Sequence, residues 1–440
     1  MPSDRTPHDR DIWRIAAPMI LSNVSVPLLG MVDTGVTGHL EDAVYLGAVA
    51  IGATIFGFIY AGFNFLRMGT TGITAQAFGA ADDDRVKVAL GQALVVALAI
   101  AAALLLLQVP IGATALRLLG PEPDVAAWAG EYFSIRIWSA PATLANYALI
   151  GWFIGLQNGR VPLYIVLTIN VTNIVLDLVF VLGLGMKVDG VAIASVIAEF
   201  AGLALGGAFA LSWLKQNGGR IAASNLLTLA EYTAFFAVNA HLLVRTLALM
   251  FTFSFLTAAG ARLGSVVLAA NAVLLNLLHL MSFALDGFAH AAEALVGKAV
   301  GAKDRASLER AVRLALKWSL YVAVLFCLFF LAGGNLLVNL LTDIPEVVER
   351  ANRHLPWLYV LPMVAVWSYL YDGVFVGATR AREMRDIMLL SSFIVFVPAW
   401  YLLRPLGNDG LWLALTLFLA SRGVGMHCYY RTRVLSTVQG

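Results

Sequence analysis

Long apolar stretches separated by short polar segments follow one another along the whole chain. A helix needs about 20 apolar residues to cross a bilayer. The apolar stretches are continuous rather than alternating, which indicates membrane helices and not a β-barrel. Several exceed the minimum length, so we expect tilted or kinked helices. Twelve spans are predicted, at about residues 12–36, 46–76, 88–110, 126–154, 162–184, 191–214, 230–257, 266–295, 311–338, 350–377, 387–403 and 410–430.

An internal repeat relates the two halves of the chain. The segment LGAVAIGATIFGFIYAGFNFLRMGTTGITAQAFGA, from Leu46, resembles LAANAVLLNLLHLMSFALDGFAHAAEALVGKAVGA, from Leu268. The shift that places Leu46 on Leu268 also places 153–155 (FIG) on 375–377 (FVG). Six helices per half is an even number, so both halves begin on the same side and the repeat is parallel. The pattern predicts an all-α polytopic membrane protein with twelve transmembrane helices in two six-helix lobes.

Two lobes joined by a linker follow from this repeat. We expect an N-terminal lobe at 1–214 (helices 1–6), a cytoplasmic linker at 215–229 and a C-terminal lobe at 230–440 (helices 7–12). Two parallel lobes with a cleft between them are a transporter layout.

Composition and charge support a membrane protein and predict its orientation. The chain is 60% hydrophobic and 13% charged, whereas a soluble domain is about 25% charged. With the N-terminus inside, 19 of the 29 Lys and Arg residues fall in cytoplasmic segments, as the positive-inside rule requires. We expect a multi-pass protein of the plasma (inner) membrane with both termini cytoplasmic, and no signal peptide to be removed. The two cysteines lie in apolar stretches and suggest no disulfide framework.

Polar residues within the fifth span are the strongest chemical signal. Asn170, Asn173 and Asp177 share one helical face of the apolar run YIVLTINVTNIVLDLVFVL. A carboxylate in such a run is costly and usually faces a bundle interior or a wet cavity. Ser195 follows early in the next helix. The functional interpretation is an ion or proton site shared by two helices, and the alternative is a structural Asp that pairs with an Asn or caps a turn.

Four polar residues of the first lobe share a depth in the membrane. Asp33 lies about 20 residues, and Asp177 about 15, into helices that start inside, which at 1.5 Å per residue puts both in the outer half. Ser195 and Tyr132 lie one or two turns into helices that start outside. One site in one lobe requires this common depth. The repeat places Phe255 at the position of Asp33, and no acid at the position of Asp177.

Two prolines interrupt the first helix. Pro18 and Pro27 each remove an intrahelical hydrogen bond and favour a bend. A bend that opens and closes during function and a static kink are both consistent with the sequence.

Further ionisable groups lie in the second half. Asp286, Glu293 and Asp372 either hold helices together or form a second ion site. Their candidate partners are Arg67, Arg136 and Arg245. His279 and His290 lack the spacing of metal ligands. No Gly-rich phosphate loop precedes a Lys-Ser/Thr pair, so we expect no ATP-driven motor. No Gly-x-Gly-Asp accompanies the acids either, which argues against a membrane protease, and we expect neither an enzyme nor a cofactor.

The sequence resembles the multidrug and toxic compound extrusion (MATE) family, in its DinF-like branch. The resemblance covers essentially the whole chain and depends on four segments in order: PMILSNVSVPLLGMVDTGVTGHL, NVTNIVLDLVFVLGLGMKVDGVAIAS, LDGFAHAAEALVGKAVGA and YDGVFVGATRAR. It implies two six-helix lobes around a central cavity. It also implies export of organic, often cationic or amphipathic compounds in exchange for H⁺ or Na⁺.

The resemblance also implies site residues. The first-helix acid of this branch falls on Asp33, and the fifth-helix pair falls on Asn173 and Asp177. The sixth-helix hydroxyl, Thr in relatives, is Ser195 here, and the fourth-helix Tyr is Tyr132. Na⁺ would bind at Asn173, Asp177 and Ser195. The related NorM-like branch has its cation site in the second lobe, and the seventh-helix acid of that site is not evident in this sequence.

The expected function is therefore secondary antiport of drug-like compounds. Its partners are small molecules and the bilayer, not nucleic acid, and we expect a monomer. A lipid-linked precursor flippase of the same wider superfamily is the first alternative, although such proteins usually have fourteen helices and a cationic cavity. A passive channel or a structural membrane protein is the alternative from another class.

Overall fold

The described part of the protein is helical throughout. The computed structural model describes residues 6–37, 42–218 and 229–438, and no strand occurs in these ranges. Short 3₁₀ or π-helical segments lie at Ile137–Ser139, Leu178–Gly183, Leu390–Phe396, Arg404–Leu406, Tyr430–Val434 and Leu435–Val438. The α-helices are α1 (Asp9–Thr37), α2 (Ala43–Phe63), α3 (Phe65–Gly79), α4 (Asp83–Leu106), α5 (Gln108–Leu119), α6 (Pro123–Arg136), α7 (Ala140–Gly155), α8 (Arg160–Asp177), α9 (Val188–Gln216), α10 (Leu229–Arg262), α11 (Ser265–Gly301), α12 (Arg305–Leu341), α13 (Pro345–His354), α14 (Pro356–Gly377), α15 (Ala381–Leu389), α16 (Val397–Leu403) and α17 (Asn408–Tyr429).

The helices have the length and surface of a membrane protein. Within the described ranges, ten helical stretches are long and apolar enough to span a membrane. The other two predicted spans are occupied by α1 and by α6 together with α7. Large apolar side chains lie on the outside, among them Leu106 at 83% exposure and Leu402 at 80%. Such a surface is stable only in lipid, so the chain is a multi-pass membrane protein.

Four spans that the sequence predicted as single helices are interrupted. Leu107 separates α4 from α5. Asn64 separates α2 from α3. Pro141 has no backbone N–H to donate to the carbonyl of Ile137, and a 3₁₀ turn begins at Ile137. Pro356 likewise cannot continue α13, which ends two residues earlier. The spans predicted at 46–76, 88–110, 126–154 and 350–377 therefore each contain one such break.

The predicted repeat is visible in equivalent glycine contacts of the two halves. A Cβ on Gly151 would lie 2.3 Å from the carbonyl oxygen of Arg67, and one on Gly373 would lie 2.2 Å from that of Ala289. The repeat places Gly151 on Gly373 and Arg67 on Ala289. Another such pair is formed by 155 and 377, both glycines. Each repeat therefore packs corresponding helices backbone against backbone, which confirms the repeat.

A third pair of glycines relates the ends of α3 and α11. A Cβ on Gly79 would lie 2.0 Å from the carbonyl oxygen of Lys298, and one on Gly301 would lie 1.9 Å from that of Gln76. Because the repeat also places Gln76 on Lys298, the two contacts are copies of each other. Only glycine permits so close an approach.

Gly301→Ala is therefore expected to destabilise the protein by roughly 1–3 kcal/mol, because the added methyl must push α3 and α11 apart. Thermal unfolding of the purified protein measures the effect. Gly333→Ala is the matched control, since a Cβ there meets nothing within 4 Å. The control should be neutral or slightly stabilising. Equal losses of stability in both variants would contradict the argument.

The chain forms two compact units. The C-terminal unit comprises Met1–Ile20, Ala75–Ala81 and Ala234–Gly440, and the N-terminal unit comprises Leu21–Thr74 and Asp82–Thr233. Helices α1 and α3 thus contribute residues to both units. The lobe boundaries inferred from the sequence, 1–214 and 230–440, stay a prediction. Most of the predicted linker, 219–228, lies outside the described residues.

Each unit has an apolar core that holds its helices. Phe56 and Trp152 are completely buried in the N-terminal unit. In the C-terminal unit, Met281, Phe330 and Phe418 belong to one cluster contributed by α11, α12 and α17. The polar residues considered next are therefore set within well-packed helices.

Candidate functional site

The inner face of α8 carries the polar residues that the sequence singled out. Asn170, Asn173 and Asp177 are 6%, 2% and 0% exposed, whereas Val171 and Val175 on the opposite face are more than half exposed. The 3.6-residue period predicted this face correctly.

Two hydrogen bonds join this face to neighbouring helices of the N-terminal unit. Asn173 Nδ2 donates to Ser195 Oγ of α9 over 3.3 Å, and both side chains are buried. Asn170 Nδ2 donates to Ser25 Oγ of α1 over 2.8 Å. Helices α1, α8 and α9 therefore meet through polar side chains at one place. Ser25 was not among the predicted site residues, although its position between the two prolines of the first helix was a signal.

Asp177 ends α8, and the backbone changes its winding there. The π-helical segment Leu178–Gly183 begins at the next residue. Such segments often occur at functional sites, because the wider turn leaves backbone groups less regularly bonded. A fully buried carboxylate next to an irregular turn has the environment of a group that exchanges a proton or an ion.

Tyr132 lies in the core between α2 and α6. Its side chain is fully buried, its hydroxyl accepts a hydrogen bond from Arg136, and its ring packs against Gly52, where a Cβ would come within 2.2 Å of Cδ1. The Arg136 guanidinium also lies 5.2 Å from the centre of the Phe56 ring. The structure thus places a cation one helical turn from Tyr132.

The first helix contains three of the residues that the sequence predicted to be functional. Asp33 lies in α1, but its side chain is outside the part of the structure that is described. Pro18 and Pro27 both lie within α1, which remains helical from Asp9 to Thr37. Pro18 belongs to the C-terminal unit and Pro27 to the N-terminal unit.

The acids of the C-terminal unit have basic partners. Asp372 of α14 accepts from Arg245 of α10 and, over 2.7 Å, from Arg422 of α17. Arg245 was among the predicted partners, whereas Arg422 was missed. Both arginines are buried. Asp372 therefore ties three helices together as the centre of an ion triad.

The other two acids of that unit lie on α11. Glu293 is buried and lies 3.4 Å from Nδ1 of His290, also buried. Asp286 lies close enough to the Tyr369 hydroxyl to interact with it electrostatically. Within the described ranges, no group of three or more His, Cys, Asp or Glu side chains is arranged to hold a metal ion.

The fold and this buried polar cluster define the class of protein. A polytopic helical membrane protein with an internal repeat and a carboxylate buried in one unit is a membrane transport protein. The MatE family model matches residues 18–179 and again residues 242–402, one match in each repeat. The chain belongs to the MatE family.

Curated relatives extend over almost the whole chain. DNA damage-inducible protein F of Escherichia coli (strain K12) is 44% identical over 428 residues, which cover 97% of this chain and 93% of the relative. A probable multidrug resistance protein NorM of Rhizobium meliloti (strain 1021) is 26% identical over 435 residues, covering 94% of this chain and 91% of that protein. The predicted DinF-like resemblance is confirmed.

Solved structures agree with the fold. A Vibrio cholerae MATE transporter, VcmN, crystallised in a bent form, has a TM-score of 0.86 at 22% identity and covers 98% of this chain and 97% of its own. A MOP superfamily transporter from Pyrococcus furiosus has a TM-score of 0.88 at 18% identity with the same coverage. MATE structures have twelve helices in two lobes, so the predicted fold class is confirmed.

Proposed function

We propose that this protein is a secondary active multidrug antiporter that exports organic, cationic or amphipathic compounds in exchange for H⁺. The observation that carries the proposal is the completely buried Asp177 beside the Asn173–Ser195 hydrogen bond. The acid of the C-terminal unit, Asp372, is instead engaged by two guanidinium groups. The naming of relatives as probable multidrug resistance proteins supports the substrate class.

The proposed cycle begins with proton uptake from the outer side at Asp33. Asp177 and Asn173 complete the polar network, with Ser195 and Tyr132 as further members. Two nearby carboxylates titrate as a coupled pair, so the pair takes up the proton as a unit. Protonation removes a negative charge that attracts a cationic compound, and it rearranges the hydrogen bonds of the network. The compound is then released outward.

The same residues offer oxygen atoms to a sodium ion. Asn173, Asp177 and Ser195 supply an amide carbonyl, a carboxylate and a hydroxyl, the donors that hard cations prefer. Na⁺ in place of H⁺ is therefore the second candidate for the coupling ion.

Transport in proteoliposomes under separately imposed gradients tests the proposal. The probe is tetraphenylphosphonium, a permanently charged organic cation. H⁺ coupling predicts that tetraphenylphosphonium is exported, with no Na⁺ present, when the solution on the outer side is the more acidic one. Protons then move inward as the compound moves outward. Export driven only by Na⁺ would reassign the coupling ion, and equilibration under either gradient would identify a passive channel instead.

The proposed setting follows from the same reasoning. The protein acts as a monomer in the plasma (inner) membrane with both termini cytoplasmic. Its partners are small drug-like molecules and the bilayer, and neither an enzyme activity nor a cofactor is part of the proposal. The N-terminal lobe would carry the coupling site, and Asp286, Glu293 and Asp372 would serve the structure of the C-terminal lobe.

Bending of α1 is part of the proposal and yields a prediction. Pro18→Ala or Pro27→Ala restores a backbone hydrogen bond, a change of about 3 kcal/mol. About 1.4 kcal/mol shifts a two-state equilibrium tenfold. At least one of the two variants should therefore lose most of its efflux activity, although proline binds no proton.

Spin-label distances along α1 at acidic and alkaline pH measure the bend directly. Pro123→Ala is the matched control, because Pro123 is the first residue of α6, where proline is tolerated without a kink. Full activity in both α1 variants, with a distance that is independent of pH, would mean that α1 has a static kink.

A further inference from the structure

Glu199 is a further acid of the N-terminal unit, inside the apolar helix α9, and it was not among the predicted site residues. It lies eleven residues after Val188, the start of α9, which is about 16 Å along the helix axis. It follows Ser195 by four residues, so both side chains lie on one face of α9. Ser195 bonds to α8, and Glu199 bonds to α7. An acid this deep in an apolar helix is a candidate functional group.

Asn146 of α7 holds the Glu199 carboxylate. Its Nδ2 donates to Glu199 Oε2 over 2.9 Å and to the Glu199 backbone oxygen over 3.0 Å. Asn146 is 2% exposed. Its Oδ1 is buried and has no hydrogen-bond partner among the residues that the structure describes. An unsatisfied buried acceptor costs free energy, so its position beside a carboxylate calls for a reason.

Protonation of the carboxylate supplies that reason. The ionised form of Glu199 only accepts hydrogen bonds, and Asn146 meets it with a donor. The protonated form has an O–H to donate, and half a turn of the Asn146 amide presents Oδ1 to it. Thr143, one turn earlier on α7, has a hydroxyl beside the carboxylate that can also donate or accept. The site can therefore offer a donor to the ionised acid and an acceptor to the protonated acid without moving a helix.

The charged and ionisable groups that interact with Glu199 come from α2, α6 and α7, three of the helices that pack on α9. Arg136 of α6 interacts electrostatically with the carboxylate. Tyr60 of α2 and Tyr147 of α7 do so as well. Helix α8 packs on α9 as well, and Asp177 is the ionisable residue on its buried face. The ionised carboxylate offsets the positive charge of Arg136, and protonation leaves that charge uncompensated by Glu199.

We propose that Glu199 is a proton-binding group of the antiporter in addition to the pair Asp33 and Asp177, with Asn146 as its positioning residue. The inference rests on the proposed proton coupling and extends it one helical turn along α9 from the Asn173–Ser195 bond. In one protonation step, the Glu199 carboxylate takes up one proton to become a neutral acid, and no other bond is made or broken. The positive charge of Arg136 then repels a cationic compound and favours its release.

Infrared difference spectroscopy of the full-length protein in lipid tests the proposal. Spectra taken between acidic and alkaline pH should contain a carbonyl band from a protonated carboxyl group shielded from water. Glu199→Gln should remove a component that is distinct from the one lost in Asp177→Asn. Glu131→Gln is the matched control, because Glu131 is exposed on α6, and this variant should retain both components.

A second variant and a transport measurement make the test complete. Asn146→Leu retains the acid but removes its partner, so the Glu199 component should move to a different frequency. In proteoliposomes, Glu199→Gln should take up fewer protons for each tetraphenylphosphonium exported. If the wild type shows no pH-driven export, the proposed function fails. If the wild type shows pH-driven export but Glu199→Gln and Asn146→Leu leave the spectrum unchanged, this inference alone is overturned.

Discussion

Asp177→Asn is expected to abolish pH-driven export and leave the protein folded. Asparagine keeps the shape of the side chain and its capacity for hydrogen bonds, but it cannot take up a proton at physiological pH. The residue is completely buried at the end of α8. An acid on the exposed surface therefore cannot take up the proton in its place. A pH difference of about one unit sustains at most about a tenfold gradient of a compound for each coupled proton. The variant should sustain none.

Accumulation of tetraphenylphosphonium in proteoliposomes, at matched protein content, measures this loss. Asp124→Asn is the matched control, since Asp124 is exposed in the first turn of α6. It should change stability by at most about 1 kcal/mol and leave export intact. Asp33→Asn should resemble Asp177→Asn, because the two acids act as a pair in the proposal. A wild-type gradient in Asp177→Asn would refute the assignment of this carboxylate.

Asp372→Ala should have the largest effect on stability. It removes the shared partner of Arg245 and Arg422, and both guanidinium groups would stay buried without a counter-ion. Breaking a buried ion pair in this way costs about 3–5 kcal/mol. Within the described structure, Asp372 Oδ1 and the Nε atoms of both arginines already lack hydrogen-bond partners, so little remains to compensate. We expect poor expression and a strongly lowered melting temperature.

The triple variant Arg245→Met, Asp372→Leu, Arg422→Met separates a structural from a transport role. Replacing a whole buried ion cluster with apolar residues is often neutral or stabilising. If the triad only joins helices, the triple variant should regain the stability and the transport that Asp372→Ala loses. A stable triple variant that cannot transport would make Asp372 part of an ion site. Asp343→Ala, at an exposed acid between α12 and α13, controls for the loss of one charge.

Much of the fold was predictable from local pattern. The apolar period placed Asn170, Asn173 and Asp177 on one buried face of α8, because a helix repeats every 3.6 residues whatever it packs against. The similarity of the segments from 46 and 268 predicted the repeat, and equivalent glycine contacts in the two halves confirm it. Helix breaks were harder to place. Apolar composition hardly changes at Asn64, and a hydropathy pattern does not register one missing hydrogen bond.

The partners of the polar groups were decided by the tertiary structure. Ser25 lies 145 residues from Asn170, and Arg245 lies 127 residues from Asp372. In the sequence, Glu199 is an isolated acid in an apolar run. Its partner in the structure, Asn146 of α7, lies 53 residues away along the chain. A helix pattern states which face is buried, but not which neighbouring helix covers that face. In the membrane a polar side chain is stabilised by the one partner that packing places within about 3 Å. The sequence by itself therefore determined the helices, the repeat and the buried faces, and the packing of helices decided which partner each buried polar group meets.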